Sequence, residues 1–312
     1  MSATRGSPQL RGILCMVAGV TVILGNDAAI KWLSEDYPIH QLVLLRSLIA
    51  IPITLAILRF EGGWRALRTP HPWLHTCRGM LIVIANMTFF LGLAALPIAD
   101  AMVLFFVAPL FITALSAPLL GERVGWRRWL AVLLGMVGVI VMQRPGSGVY
   151  QWAALLPAVA AACYALMQVM TRRLGANERA APMALYLHLA FLAVSALSGM
   201  ALGDGRFAGT GDPSLEFMLR AWQWPQQDHL GAMLLTGVCV GVGGYLLTQA
   251  YRLARVGVVA PFEYMALPWG LLAGFLIWGD IPDIFSVLGM LLIIGSGLFV
   301  WFRENQFRVS PG

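Results

Sequence analysis

The chain of 312 residues is 59% hydrophobic and only 12% charged, a balance that excludes a water-soluble globular domain and identifies an all-α integral membrane protein. The formal net charge of +6 does not call for a nucleic-acid partner, because the basic residues lie in short loops between apolar runs, where membrane topology places them. Runs of about twenty apolar residues, the length that crosses a bilayer, recur along the whole chain. They predict ten spans: 12–33, 40–58, 77–96, 99–120, 129–142, 152–170, 181–202, 230–251, 256–279 and 285–302. The first continues past signal-peptide length with no small-residue cleavage pattern, so it reads as a span. The fifth is the shortest and is expected to borrow residues from its flanks.

The first span carries Asn26, Asp27 and Lys31, and the second carries Arg46. At about 1.5 Å per residue, Asp27 lies roughly 8 Å below the outer end of its helix and Arg46 descends to a similar depth, so the two can pair. Lys31 is one turn beyond Asp27 on the same face and either completes a triad or reaches back to the surface. Charges at this depth require a partner or a wet cavity. They fix two helices together, or they receive a substrate carboxylate on Arg46 or Lys31 and a substrate cation on Asp27.

In the third span Asn86 is an amide that needs a partner in hydrocarbon, and Phe89 and Phe90 offer aromatic walls. Just before it, His71 and His75 have metal-ligand spacing, but Pro70 and Pro72 interrupt the helix that would carry them and no further ligand is near. No metal or cofactor is expected. Cys15, Cys77, Cys163 and Cys239 are widely spaced, without a CxxC pair, and read as buried structural thiols.

Aligning the sixth span on the first, Arg172 over Lys31, sets Gln168 opposite Asp27 and Tyr164 opposite Ile23. His188 and Tyr186 then fall near the counterpart of Arg46. His188 is a ligand or proton group, or a histidine bonded to a neighbouring helix. The longest connection, 203–228, contains a mixed apolar and charged stretch, 214–224, which is either a helix in the membrane interface or a polar loop anchored by Trp222 and Trp224. Tyr245 and Gln249 are the polar groups of the eighth span.

The ninth span carries Glu263, about 10 Å from its inner end and across the midplane from Asp27, followed by Tyr264. Glu263 is a candidate proton carrier or a counter-charge for a cation; the alternative is a hydrogen bond to backbone near Pro261. Pro52, Pro109, Pro157, Pro261 and Pro268 free backbone carbonyls inside spans and bend them. Steps such as Gly237 to Gly241 and Gly270 to Gly274 permit close helix contact.

With the amino terminus in the cytoplasm, sixteen of the 21 basic residues fall on that side, and an even number of spans returns the carboxy terminus there. The stretches 93–126 and 256–283 echo each other. Each has a mid-helix proline (Pro109, Pro268), then an acidic turn (Gly121 with Glu122, Gly279 with Asp280), then a Leu-Gly-Met sequence beginning at Leu134 or Leu288. Two halves of five spans, 1–148 and 149–312, follow, and five being odd, the second is inverted. Inverted repeats with a midplane site between them belong to alternating-access carriers.

The pieces carrying a family resemblance are Gly25, Asn26 and Asp27 with Lys31, Trp32 and Arg46; Leu96 with Pro97, Pro109, Gly121 and Glu122; and Ala260 to Tyr264 with Trp278, Gly279, Asp280 and Pro282. Together they resemble the EamA-type branch of the drug/metabolite transporter superfamily over nearly the whole chain. The resemblance implies ten helices in a basket around a central cavity, and transport or exchange of small organic metabolites such as amino acids, S-adenosylmethionine, nucleotide-like compounds or riboflavin. The second proline-to-acid spacing is one residue shorter than the first, so the two turns correspond only approximately.

An ATP-driven pump is disfavoured by the lack of a GxxxxGK sequence. A membrane-embedded enzyme using Asp27, His188 and Glu263 is the alternative, against which stands the lack of HExxH and GxSxG patterns. The expectation is a plasma-membrane secondary carrier for a small polar metabolite, with lipid as its surroundings, protons as a candidate coupling ion, and a monomeric or weakly dimeric state. Its candidate substrate contacts are Asn26, Asp27, Lys31, Arg46, Asn86, Tyr164, Gln168, His188, Tyr245, Gln249, Glu263 and Tyr264.

Overall fold

The computed structural model describes residues 8–120, 126–143, 152–175, 178–254, 259, 262–263, 266–279, 281, 283–285, 287–292 and 294–296. Among them the regular elements are helices and none is a strand. In chain order they are α1 (Pro8–Leu33), α2 (Ile39–Glu61), α3 (Pro72–Ala95), α4 (Ile98–Phe105), α5 (Ala108–Leu120), α6 (Trp126–Gln143), α7 (Leu155–Leu174), α8 (Ala180–Leu202), α9 (Pro213–Leu219), α10 (Leu230–Leu253) and α11 (Ala266–Ala273). An apolar helical segment at Val287–Ser296 follows.

Among the described residues six helices, α1, α2, α3, α7, α8 and α10, are long and apolar enough to cross a membrane. Three of the other apolar runs take local forms of their own. The fourth run divides into α4 and α5 at Phe106 and Val107, because Pro109 has no N–H to give the Phe105 carbonyl; the Phe106 amide tightens onto Met102 O and Val103 O at 2.9 and 3.1 Å instead. The fifth run lengthens at both ends into the 18 residues of α6. In the ninth, α11 is extended by a π turn, Gly274–Trp278, which Gly279 closes in the left-handed conformation at φ 72°.

Burial follows the logic of lipid rather than water. Leu14, Met80, Ile84, Leu197 and Leu234 are exposed, while Arg46, Asn26, His188, Gln168 and Glu263 are buried. Small residues bring the helices together: a Cβ built on Gly12 of α1 falls 2.6 Å from that of Ala254 beside α10, and one on Gly237 of α10 falls 2.4 Å from Ile49 Cβ on α2. The main pairings are α1 along α10, α3 along α7, α2 against both α8 and α10, α5 against α7 and α3 against α8; α4 also meets α11.

Three expectations change. Pro72 opens α3 at its first turn, where a missing N–H costs nothing, so His75 rides on the helix rather than in a broken segment. It bonds Glu178 at 2.6 Å and stacks on Tyr186. The four cysteines are free thiols, but only Cys239 is buried and the other three are half-buried.

Of the two readings of the stretch 214–224, the structure carries the helical one as far as Leu219, in α9, and the remainder is pinned rather than loose. Asp212 caps α9 by accepting from Ser214 N and Leu215 N, Ser214 Oγ donates to Leu91 O at 2.6 Å, and Phe217 enters the core. The chain then runs as a strap across one end of the bundle. Arg220 donates to Ser34 O at 2.9 Å, Gln41 and Gln223 exchange hydrogen bonds, and the Gln226 amide donates to the Tyr37 hydroxyl at 2.9 Å. Before α9, Glu216 folds the loop back by accepting from the Gly209 and Thr210 amides, which hold its carboxyl below the ordinary carboxylate range.

Candidate functional site

Between the helices lies a cavity of about 200 Å³, walled by α1, α2, α3, α4, α7, α8 and α10 and by Glu263. Its wall is chiefly apolar. Phe89, Phe105 and Phe106 meet edge to face, and Phe105 lies 5.2 Å from the Tyr164 ring. Two polar clusters interrupt it.

The first is built on Arg46, which is 1% exposed. Its NH1 donates to Asn26 Oδ1 at 3.3 Å and its NH2 to Asn86 Oδ1. Asn26 turns its Nδ2 to Asp27 Oδ1 at 2.9 Å. The direct pair expected between Asp27 and Arg46 is therefore replaced by a relay through an amide. The guanidinium carbon also sits 5.0 Å from the Phe191 ring and 5.5 Å from that of Phe90, so the cation is sandwiched by aromatic faces.

The second cluster is built on Glu263. Tyr164 and Tyr251 both donate to its Oε1, at 2.8 and 2.6 Å. These are side-chain partners from α7 and α10, where the sequence offered backbone near Pro261 as the alternative. Gln168, one turn along α7 from Tyr164, lines the same wall.

Eight of the sequence-predicted residues thus line one cavity: Asn26, Asp27, Arg46, Asn86, Tyr164, Gln168, His188 and Glu263. Three others lie away from it. Lys31 is half-buried, and its Nζ donates to the carbonyls of Leu93 and Leu96 at 3.2 and 2.7 Å, a cation at the C-terminus of α3. Tyr245 donates to Glu61 at 2.7 Å, and Gln249 donates to the Tyr245 hydroxyl at 3.4 Å and accepts from Arg252 NH1 at 3.2 Å. Tyr264 lies outside the described residues, as do Glu122 and Asp280 of the two acidic turns.

Residues missed from sequence include Tyr251, Thr248 and Phe105. Val240, Gly244, Leu247 and Thr248 follow the i, i+4, i+7, i+8 spacing of one helix face and line the cavity, and Tyr251, one turn beyond Leu247, carries that face on to Glu263. Tyr245 and Gln249 are on the other. The two faces differ little in polarity, so only the packing tells them apart. Asp27, His188 and Glu263 line the same cavity, with no hydrogen bond from one to another.

Residues 10–144 match the EamA-like transporter family. A riboflavin transporter of Rhizobium johnstonii is 32% identical over 99% of this chain and 97% of its own. An S-adenosylmethionine uptake transporter of Rickettsia prowazekii is 23% identical, covering 96% of both chains. A solved crystal structure with 22% identity superposes with a TM-score of 0.68 over 95% of this chain and 98% of its own, a likeness of fold.

Proposed function

This chain belongs to the EamA-like transporter family, a multi-pass membrane family, and on that premise we propose that it is a secondary carrier binding a small polar metabolite in the central cavity. The observation that carries the reading is the cavity itself: buried, walled by aromatic rings, and interrupted by two hydrogen-bonded polar clusters on helices from both halves of the chain. With about 200 Å³ it falls below the ~300 Å³ usual for ligand pockets, so a flavin-sized molecule enters only if one end of the bundle parts.

Helix ends are tied by hydrogen bonds on two sides of the bundle. The α9 strap holds the ends of α1, α2 and α3 on one. At the other, Glu178 accepts from Thr69 and His75, its carbonyl accepts from Arg252 at 2.7 Å, and Glu61 accepts from the Ala181 amide and Tyr245. The positive-inside pattern makes the Glu178 end cytoplasmic and the α9 end external.

The reading includes two inverted halves. Exchanging spans one to four with spans six to nine turns the pairing of α1 with α10 into that of α7 with α3. It returns the pairings of α2 with α8 and of α4 with α11 to themselves. This symmetry supports alternating access around a fixed site. Glu263, held by two hydroxyls, is the candidate coupling carboxyl.

Riboflavin and S-adenosylmethionine are the substrates to test first, from the relatives' names. Purified protein in proteoliposomes is expected to take up labelled riboflavin saturably; uptake no greater than in empty liposomes for both compounds refutes the proposal. Proton coupling is refuted if uptake ignores a pH gradient and survives Glu263→Gln unchanged.

A further inference from the structure

His188 is 2% exposed, lines the cavity, and has no hydrogen-bond partner on either ring nitrogen. A neutral imidazole carries one N–H donor and one acceptor, and an unsatisfied buried polar atom in a native protein calls for an explanation. Its neighbours do not supply one. Gly244, across from it on α10, has only a hydrogen where a Cβ would lie 3.6 Å from Cε1, so that wall offers space rather than a partner. Arg46 is close by: its guanidinium lies over Phe191, one turn along α8 from His188 on the same face. The Nε of Arg46 is likewise buried and without a partner, although its two terminal nitrogens are bonded. Two residues lining one cavity therefore hold, just beneath its surface, an unused imidazole and an unused guanidinium N–H.

We infer that His188 and Arg46 Nε are the docking pair for the neutral cyclic amide or imide edge of a heterocyclic substrate, with His188 setting specificity. The inference rests on the carrier reading above. A ring N–H donates to the acceptor nitrogen of His188, and an adjacent ring carbonyl accepts from Arg46 Nε–H. The edge is neutral rather than a carboxylate because the charge of Arg46 is already answered by Asp27 through Asn26, which leaves no net positive charge for an anion. The aromatic wall of Phe89, Phe105 and Tyr164 suits the flat face of such a ring.

A structural and a ligand role for His188 predict opposite outcomes. If the imidazole holds the fold, His188→Leu lowers the melting temperature of the ligand-free protein. If it waits for a ligand, leucine removes two unsatisfied atoms and the ligand-free protein melts at the wild-type temperature or above.

The experiment is thermal unfolding of purified full-length protein in detergent, with riboflavin and with N3-methylriboflavin, whose imide N–H is blocked. Riboflavin is expected to raise the melting temperature of wild type, with N3-methylriboflavin binding at least tenfold more weakly. His188→Leu is expected to lose the riboflavin shift. His188→Gln, which keeps a donor and an acceptor, is expected to retain part of it. The inference is overturned if His188→Leu responds to riboflavin as wild type does, if it melts well below wild type without ligand, or if N3-methylation makes no difference. Wild type that responds to S-adenosylmethionine and not to riboflavin overturns the imide assignment while leaving the carrier reading intact; wild type that responds to neither and transports neither removes both.

Discussion

Glu263 allows a sharp test, because two hydroxyls share one of its oxygens. Tyr251 and Glu263 are 0% and 4% exposed, so water cannot replace a lost bond. With Glu263 as a carboxylate, the 2.6 Å bond from Tyr251 is charge-assisted. Tyr251→Phe should then cost about 1.5–3 kcal/mol, against about 0.5–1.5 kcal/mol when the acceptor is the neutral amide of Glu263→Gln. The coupling between the two positions is thus about 1 kcal/mol or more, within the range that double-mutant cycles resolve for residues in contact. Four proteins suffice: wild type, each single variant and the double variant, unfolded reversibly in mixed micelles with helical circular dichroism as the readout. Equal cost of Tyr251→Phe in both backgrounds refutes a charged Glu263. No cost in either refutes the importance of the shared oxygen.

Asn86→Leu strips an acceptor from the buried Arg46 guanidinium and should destabilise the protein by about 1.5–3 kcal/mol, whereas Asn86→Asp restores an acceptor and should recover most of it, read by the same unfolding assay. A Cβ on Gly199 falls 2.2 Å from Trp222 Cζ2, so Gly199→Leu should lift the strap; faster amide exchange across residues 220–226 than in wild type checks this, and unchanged exchange counts against the strap as a packed element. The carboxyl of Glu216 is held below its unfolded value by the Gly209 and Thr210 amides. Its contribution to loop order is therefore complete above the ordinary carboxylate pKa and is lost as pH falls through the lowered one. Proteolysis of the loop should accelerate in acid for wild type and be largely pH-independent for Glu216→Gln.

Much of the site was legible because hydrocarbon makes polar residues conspicuous. Asn26, Asp27, Arg46, Asn86 and Glu263 stand out as groups that need partners in lipid, and all five line the cavity. What lipid alone could not separate was a polar group facing the cavity from one serving a helix end. Lys31 and Asp27 share a helical face, yet the cut-off end of α3 offers Lys31 two carbonyls at a distance of 62 and 65 residues in the chain.

Composition and the spacing of apolar runs, by themselves, determined that this chain is helical and lives in a membrane, since every span must satisfy its backbone internally. Prolines marked spans that can bend; the fourth run divides just before Pro109, while α2 runs unbroken through Pro52. Tertiary structure alone decided which face of α10 meets the cavity, that an amide stands between Asp27 and Arg46, and that Tyr251 reaches Glu263. It also decided that the stretch 214–224, helix or loop by sequence, is α9 followed by a strap held by Ser34 and Gln41. The reason is the same in each case. Hydrophobicity fixes how deep a residue sits, while its azimuth around the helix and its partner are set by contacts between segments far apart in sequence.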